Sequence, residues 1–481
     1  MPVQATKHPS QFTIGLGNIM GGLCLIANPE AIPDGFVAQM DNWEYGTLLN
    51  QPQVCPGVAT QYDLGSDVDT LFYDAVHDVW HCSSGTNEYQ VPSDFTTHSL
   101  MGSLTGTYTP IYALYDDVVL LASGGQIQKI SSGTTLETVP SSPMSHWVAH
   151  NNGRVEAFNI LSDVKNYSAI GDYNGWTNDP AVVSSSQFVD VGYKDFSQIA
   201  CTIKLATDSI VIKTSGVAYR VLNENDFANI SVVPAAQKSG SFNQYSGLSL
   251  ANKAYYIGPE GFNSFSTVTD YGGVKVDDPS PGSNINGWYV QNVDSGSKIW
   301  HVPSRKQVWA KTSNMNEVLI YHYGINAWSK RQFKYPVHDV VCKGMDIYIA
   351  YGTKIGKLDD KISTDDGFNY TAIIASKRYL PKYKKFLMKY LWLITYNFIE
   401  GNYILEVGGK ILPVLFSSTA DIANIDYDIA DTDSDPVNQS NYTPTRKRMR
   451  KRATAVQMVL TVQSGRLAIR DMGIDLVQIG R

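Results

Sequence analysis

Seven times between residues 71 and 358 an apolar or alternating run breaks at a short turn and resumes as a second run. Leu71–Trp80 runs into Ser84–Gly85. Val118–Ala122 turns at Gly124–Gly125 and resumes at Gln126–Ile130. Trp147–His150 turns at Asn152–Gly153 into Arg154–Phe158, and Ile210–Lys213 at Ser215–Gly216 into Val217–Leu222. Ala254–Ile257 turns at Pro259–Gly261 into Phe262–Ser266, and Val308–Lys311 at Asn314–Asn316 into Val318–Tyr323. Ile347–Tyr351 turns at Gly352 into Ile355–Leu358. These are hairpin signals, because Asn, Gly and Ser tolerate the positive φ that tight turns require. The turns recur with a mean step of roughly 44 residues and individual steps from about 28 to about 63, near the period of four-stranded propeller blades. No WD or kelch consensus is shared. The pattern predicts an all-β chain built on a degenerate six- or seven-bladed β-propeller, with an irregular pair of β-sandwiches as the plainer alternative. Strands such as Val118–Ala122 and Val318–Tyr321 are apolar throughout, as befits sheets buried on both faces. Ring closure also leaves only short, protected sheet edges.

Composition agrees. Of 481 residues only 17% are charged, while Tyr (29) and Gly (39) are plentiful, which excludes a long coiled coil or a wholly disordered chain. The five cysteines, Cys24, Cys55, Cys82, Cys201 and Cys342, are scattered without a CxxC pair. A disulfide scaffold and a zinc ribbon are both excluded, and the thiols read as small core hydrophobes. Met1–Gln11 lacks the charged and apolar regions of a signal peptide. The apolar run Leu387–Ile399 is interrupted by Lys389, Thr395 and Asn397 and falls short of the ~20 residues that span a bilayer. A soluble product of a reducing compartment is expected.

A different module begins near residue 370. Residues 370–481 carry 16 Lys and Arg against 10 Asp and Glu, whereas residues 1–369 carry 22 against 35. Phe386–Phe398 and Asn402–Val407 read as two strands joined at Glu400–Gly401. Thr454–Gln463 alternates with the period of a half-buried strand and turns at Ser464–Gly465 into Arg466–Arg470, and Gly473–Ile479 closes the chain. The expected organisation is an arm of leading strands over 1–60, a propeller over 61–368, and a β-sandwich-like module over 369–481.

Chemistry-bearing patterns are sparse. Gly15-x-Gly17 with Gly21 and Gly22 lacks dinucleotide-loop spacing, and no Walker loop, GxSxG elbow or HExxH is present. Ser168–Trp176 bears a partial likeness to a sialidase turn, but its Asp172 is displaced and the turn does not recur. Glycoside hydrolysis also needs two carboxylates on a shared cleft. Six aspartates, Asp421, Asp426, Asp428, Asp431, Asp433 and Asp435, mark a surface loop over about 417–445; they miss the Ca²⁺-loop consensus and its Gly. A solvated loop is the plainest reading, and docking onto a basic surface of a neighbouring subunit is another. The run Arg446, Lys447, Arg448, Arg450, Lys451 and Arg452 is the densest basic cluster, suited to an interface or to the phosphate backbone of nearby DNA. It also suits pairing with the aspartates before it, or lying in water. Lys377, Arg378, Lys382, Lys384, Lys385 and Lys389 would extend it into a basic face. Trp43, Tyr45, Trp288 and Tyr289 are candidates for subunit contacts, where aromatics are enriched. No catalytic residue, metal site or cofactor is expected, and the chain reads as a non-enzyme.

Three stretches carry a family resemblance. Gly21–Gly22–Leu23, Asn28–Pro29–Glu30–Ala31–Ile32–Pro33–Asp34–Gly35–Phe36, Asp41–Asn42–Trp43 and Pro56–Gly57–Val58 resemble a formula that opens many phage tail proteins. In that formula Cys24 replaces a common Asn, and Gln51–Pro52 and Cys55–Pro56–Gly57 replace a plain Arg–Pro–Gly. Gly153–Arg154–Val155 with Ser168–Trp176 is similar to a blade of the tail nozzle and packaged-DNA stabilisation proteins of short-tailed bacteriophages. Leu467–Asp471 and Ile474–Arg481 are similar to their closing strands. Together these cover about a quarter of the chain. The resemblance implies a structural virion protein of the tail, assembled in the host cytoplasm, without catalytic residues. It would form a homohexameric ring that extends the portal–adaptor channel, retains packaged DNA and conducts it during ejection. Its implied partners are the head-to-tail adaptor, tail fibres or spikes, and double-stranded DNA in transit. An acidic surface suits a conduit, because it repels the DNA passing by. The alternatives are a receptor- or glycan-binding tail propeller and, less favoured, a tail glycosidase.

Overall fold

The computed structural model describes residues 11–479 apart from 16–20, 26–27, 47–50, 132–134, 180–181, 183, 193–194, 206–207, 225, 238–239, 251–252, 269–272, 277–280, 381–384, 400, 408–409, 417–442 and 454. Apart from a helical turn at Asn286–Tyr289 and a 3-10 turn at Pro303–Arg305, the regular structure among the described residues is all strand. The chain divides into two compact units, residues 60–318 with 335–358, and residues 1–59 with 319–334 and 359–481.

The first unit is a seven-bladed β-propeller. Blade 1 comprises Thr70–Asp74, Val79–Ser84, Asn87–Pro92 and Ser99–Ser103; blade 2 comprises Ile111–Tyr115, Val118–Ala122, Gln128–Ser131 and Leu136–Thr138. Blade 3 is Trp147–Asn151, Arg154–Phe158, Val164–Tyr167 and Gln187–Asp190. Blade 4 is Ile199–Leu205, Asp208–Lys213, Val217–Leu222 and Ser231–Gln237. Blade 5 is Gly247–Leu250, Lys253–Gly258, Gly261–Val268 and Gly273–Val276. Blade 6 opens with the hairpin Ile299–Val302 and Gln307–Lys311. Blade 7 is Val337–Lys343, Asp346–Tyr351 and Lys354–Asp359, with Gly57–Asp63 as its fourth strand. Each of the seven turns read from the sequence joins strands of a different blade, and the blade number is seven.

The strands with apolar runs are buried throughout, as at Val118–Ala122 and Asp208–Lys213. Successive blades share cores. Val119 and Leu121 of blade 2 pack with Met101 of blade 1, and Phe158 and Tyr167 of blade 3 with Val211 and Val221 of blade 4. The ring closes where Leu71, Trp80 and Val91 of blade 1 meet Tyr348, Ala350 and Ile355 of blade 7. Trp80 and Tyr348 lie 4.6 Å apart between ring centroids. Aromatics of this size bury roughly 150–250 Å² each, so this seam carries a large share of the closure energy.

The second unit holds two sheets. One orders Trp43–Tyr45, Pro52–Val54, Arg466–Ile479, Lys385–Ile399 and Thr443–Ala453, with Gln11–Gly15 also paired to Arg466–Ile479. In the other, Ala327–Gln332, Gly22–Leu23, Phe36–Asp41, Ala372–Ser376, Met458–Val462, Gly401–Val407 and Lys410–Phe416 follow in order. The strands expected near 386–398 and 402–407 are present, yet they belong to different sheets rather than to one hairpin. Lys385–Ile399 pairs instead with the last strand and with Thr443–Ala453. Met458–Val462 and Arg466–Ile479 likewise fall in different sheets. This alternation gives the module its sandwich-like connectivity.

The leading residues, read from sequence as an arm, are integral strands of these sheets, and residues 319–334 belong here too. The opening formula has local physical reasons. A Cβ on Gly22, whose φ is +71°, would meet the Trp328 carbonyl oxygen at 2.6 Å. Asn42 adopts φ 59°, donates from Nδ2 to the Thr371 carbonyl at 2.7 Å and accepts the Gln332 N–H at 2.8 Å. One side chain thus ties three chain segments together.

Candidate functional site at the propeller axis

Residues that precede the innermost strands converge at one end of the axis. Tyr245, two residues before blade 5, donates its hydroxyl to the carbonyl of Thr109, just before blade 2. Blades 2 and 5 are not neighbours in a seven-membered ring, so this bond crosses the axis. Lys298, before blade 6, donates to the carbonyls of His338 in blade 7 (3.0 Å) and Asp69 before blade 1 (3.4 Å). Its ammonium also sits 4.7 Å from the Tyr245 ring centroid, a cation–π contact strengthened by burial. Asp339 of blade 7 accepts from Trp300 Nε1 of blade 6 (2.7 Å), from the N–H of Leu71 in blade 1 (3.0 Å) and from its neighbour Val340 (2.9 Å). Four side chains, those of Tyr245, Lys298, Trp300 and Asp339, therefore link blades 5, 6, 7, 1 and 2 at this end of the axis.

The electrostatics follow from burial. Desolvation pushes the Lys298 ammonium below its usual value, against the pull of Asp339 and Asp69. It raises the Asp339 carboxyl, which Lys298 opposes. Lys311 is pushed down to about 8, first by burial and second by the charge of Lys298. Burial also lowers His338, with Lys311 adding to the effect.

A second buried charge cluster lies between blades 3 and 4. Lys165 meets Glu156 at 2.8 Å and Glu224 at 2.6 Å, and Lys204 meets Glu224 at 2.5 Å and Glu156 at 3.6 Å. Ser209 and Tyr167 donate to Glu224 at 2.6 and 2.7 Å, and Asn151 donates to Glu156 at 2.7 Å. Burial alone would raise the Glu224 carboxyl, but the two ammoniums outweigh it and hold the group well below the carboxylate range. The cluster is neutral and saturated with partners. Both glutamates are committed to lysines, so the pair offers no free acid and base for glycoside hydrolysis. Between blades 1 and 2 a third carboxyl, Glu88, is buried with the Tyr112 hydroxyl 3.0 and 2.9 Å from its two oxygens. Desolvation raises it to about 8.

Most residues singled out from sequence lie elsewhere. Arg446, Lys447, Arg448, Arg450, Lys451 and Arg452 belong to the strand Thr443–Ala453, at the outer edge of its sheet, antiparallel to Lys385–Ile399 with a register shift near Met388 and Tyr390. The run is therefore regular structure, an edge strand among the described strands of its sheet. Such charge on an edge strand also discourages pairing with other chains. Asp421, Asp426, Asp428, Asp431, Asp433 and Asp435 lie outside the described residues, as do Lys382 and Lys384. Lys377 pairs with Asp34 and Arg378 with Glu30 (3.6 Å). Those two cations are matched by the opening formula rather than joining a basic face. Trp43, Tyr45 and Tyr289 are core residues, at most 3% exposed, which corrects their reading as subunit contacts; Trp288 is half-buried. All five cysteines are free, four of them buried and Cys342 half-buried. Among the described residues no group of three or more His, Cys, Asp or Glu is placed to hold a metal. No described helix is long and apolar enough to cross a membrane.

The blade 3 motif has a structural role. Buried Arg154 donates from Nη1 to the carbonyls of Ser168 and Ser185 (2.7 Å for Ser185), and Ser168 Oγ accepts the Val155 N–H at 2.9 Å. Asp172 accepts the Asn174 N–H at 2.8 Å, and Trp176 Nε1 donates to the Tyr173 carbonyl at 2.8 Å. Asp172 caps a turn.

No protein-family profile matches this sequence, and no curated protein sequence matches it. Among solved structures the chain is similar to BamB from Moraxella catarrhalis, at 9% identity over 66% of this chain and 92% of that one, with a TM-score of 0.40. It is similar to a chain of the mitotic checkpoint complex at 12% identity over 63% and 93%, TM-score 0.42. It is also similar to the Pan2 WD40 domain of Neurospora crassa at 6% identity over 63% and 94%, TM-score 0.41. The propeller assignment rests on the seven sheets themselves.

Proposed function

We propose that this chain is a structural component of a short-tailed phage tail, a nozzle or tail-tip hub. In this reading it assembles as a homohexameric ring, extends the portal–adaptor channel, retains packaged DNA and passes it at infection. The observation that carries the reading is the opening formula from Gly21 to Val58. Its glycines, Asn42 and Trp43 occupy positions with defined backbone and core demands, and the chain then runs into the propeller at Thr60. The hydrogen bond across the axis from Tyr245 to Thr109 adds support of a different kind. A conduit then lies between copies of the chain, as a ring of head-to-tail contacts provides, and not through one propeller. The excess of acid in residues 1–369, 35 against 22 basic residues, suits a wall that DNA slides past.

Native mass measurement and negative-stain imaging of the purified chain, alone and mixed with adaptor proteins, test this. The expected result is a six-fold ring with an open centre. A monomer that turns over a glycan would overturn the reading in favour of a tail glycosidase.

A further inference from the structure

Lys298, just before the first strand of blade 6, and Lys311, the last residue of the second, stand opposite each other. Ile299 pairs with Ala310, and the next pair outward is joined by the Lys311 N–H donating to the Lys298 carbonyl at 2.9 Å. Side chains at such facing positions leave the same side of the sheet with Cβ atoms about 5 Å apart, and like charges there repel. Burial sharpens the conflict, since Lys298 is 9% and Lys311 5% exposed. The other two buried lysines described, Lys165 and Lys213, each have a carboxylate close by, at 2.6 Å from Glu224 and 3.3 Å from Asp195. Among the described residues neither Lys298 nor Lys311 has a carboxylate within 4.0 Å. The acids in their field, Asp339, Asp69 and Asp294, act on the pair only from beyond contact distance, and each also accepts hydrogen bonds from neutral N–H groups. Asp339 accepts its three hydrogen bonds, Asp69 accepts the Gly85 N–H at 2.7 Å, and Asp294 accepts the Gly296 N–H at 2.9 Å. The Lys298 ammonium is held by two carbonyls and a ring, and that of Lys311 has no hydrogen-bond acceptor among the described residues.

We propose that this end of the propeller axis binds a small oxyanion, a phosphate or carboxylate group, seated between the ammoniums of Lys298 and Lys311. An anion there turns a repulsion between like charges into two charge-assisted attractions. It also restores full protonation of Lys311, so binding near pH 8 is accompanied by proton uptake. The site is contained in one propeller and stands apart from the tail reading, because a monomer binds as well as a ring.

The test titrates inorganic phosphate and, separately, acetate into the full chain at matched ionic strength against chloride. Thermal midpoint and calorimetric heat are followed in two buffers of different ionisation enthalpy. One of the two anions is expected to raise the midpoint above the chloride control, with proton uptake at pH 8. Lys311→Met is expected to weaken that binding at least tenfold, while Lys311→Arg retains it. Identical responses to both anions and chloride in the unaltered protein overturn the proposal, and so does equal binding by Lys311→Met. The first of these outcomes needs no variant to fold.

Discussion

The two buried lysine clusters of the propeller solve the same problem in opposite ways. Between blades 3 and 4, two lysines face two glutamates, and each carboxylate also accepts further hydrogen bonds. At the axis, the lysines face carbonyls, a ring and each other. The first is self-sufficient and acts as a rivet between neighbouring blades. The second holds the ring together through backbone acceptors, with its carboxylates acting on the lysines only from beyond contact distance. The two clusters therefore bury charge differently: one by direct ion pairs across a seam, the other by backbone carbonyls and a ring across the axis.

The sharpest way to break the contrast is Glu224→Gln. It strands Lys165 and Lys204 on a single glutamate, and losing one partner of a buried pair costs about 3–5 kcal/mol; denaturant unfolding should show that loss. The double replacement Lys165→Met with Glu224→Leu should cost clearly less than Glu224→Gln.

A pH series on the unaltered protein comes next, and the two buried acids bend it in opposite directions. Glu224, held near 2 by its lysines against the effect of burial, contributes stability that is present above the ordinary glutamate range of ~4.3 and is lost as pH falls through 2. Glu88, raised to about 8 by burial, contributes stability that is full below ~4.3 and lost as pH rises through 8. Glu88→Gln should therefore be more stable than the parent at pH 9 by about 2–4 kcal/mol, with a flatter alkaline limb. Thermal midpoints across pH 2–9 decide it.

Smaller again is Tyr245→Phe, which removes the bond across the axis at a cost of about 0.5–1.5 kcal/mol. The smallest effect is that of Lys311→Met in chloride buffer. With no partner to lose, its stability should change by less than about 1 kcal/mol, in contrast to any change at Lys165.

The fold was legible because blades are local objects. A turn of Gly, Asn or Ser between two apolar runs announces a hairpin within some fifteen residues, and each of the seven such signals falls in its own blade. The axial lock was not legible. It draws on Asp69, Thr109, Tyr245, Lys298 and Asp339, one polar residue from each of five blades, and nothing in the neighbourhood of any of them marks it. The one available hint was that Lys298 directly precedes one apolar strand and Lys311 ends the next. The strand formed by the basic run was not legible for another reason. Arg446–Arg452 has no apolar alternation, and its strand is set by the long partner Lys385–Ile399, which no local pattern of its own reveals. Trp43 and Tyr45 were misjudged because an aromatic alone does not say whether it faces a core or a partner.

The last blade is completed by a strand from the beginning of the chain, Gly57–Asp63, lying beside Lys354–Asp359. During synthesis that early strand waits for almost three hundred residues before its mate leaves the ribosome. Until then the growing chain is an open arc with an unsatisfied border, and a pairing so distant in sequence is slow to form. The ring is thus finished late and all at once, and a chain truncated before residue 354 is left with that border exposed and ready to seize another copy's.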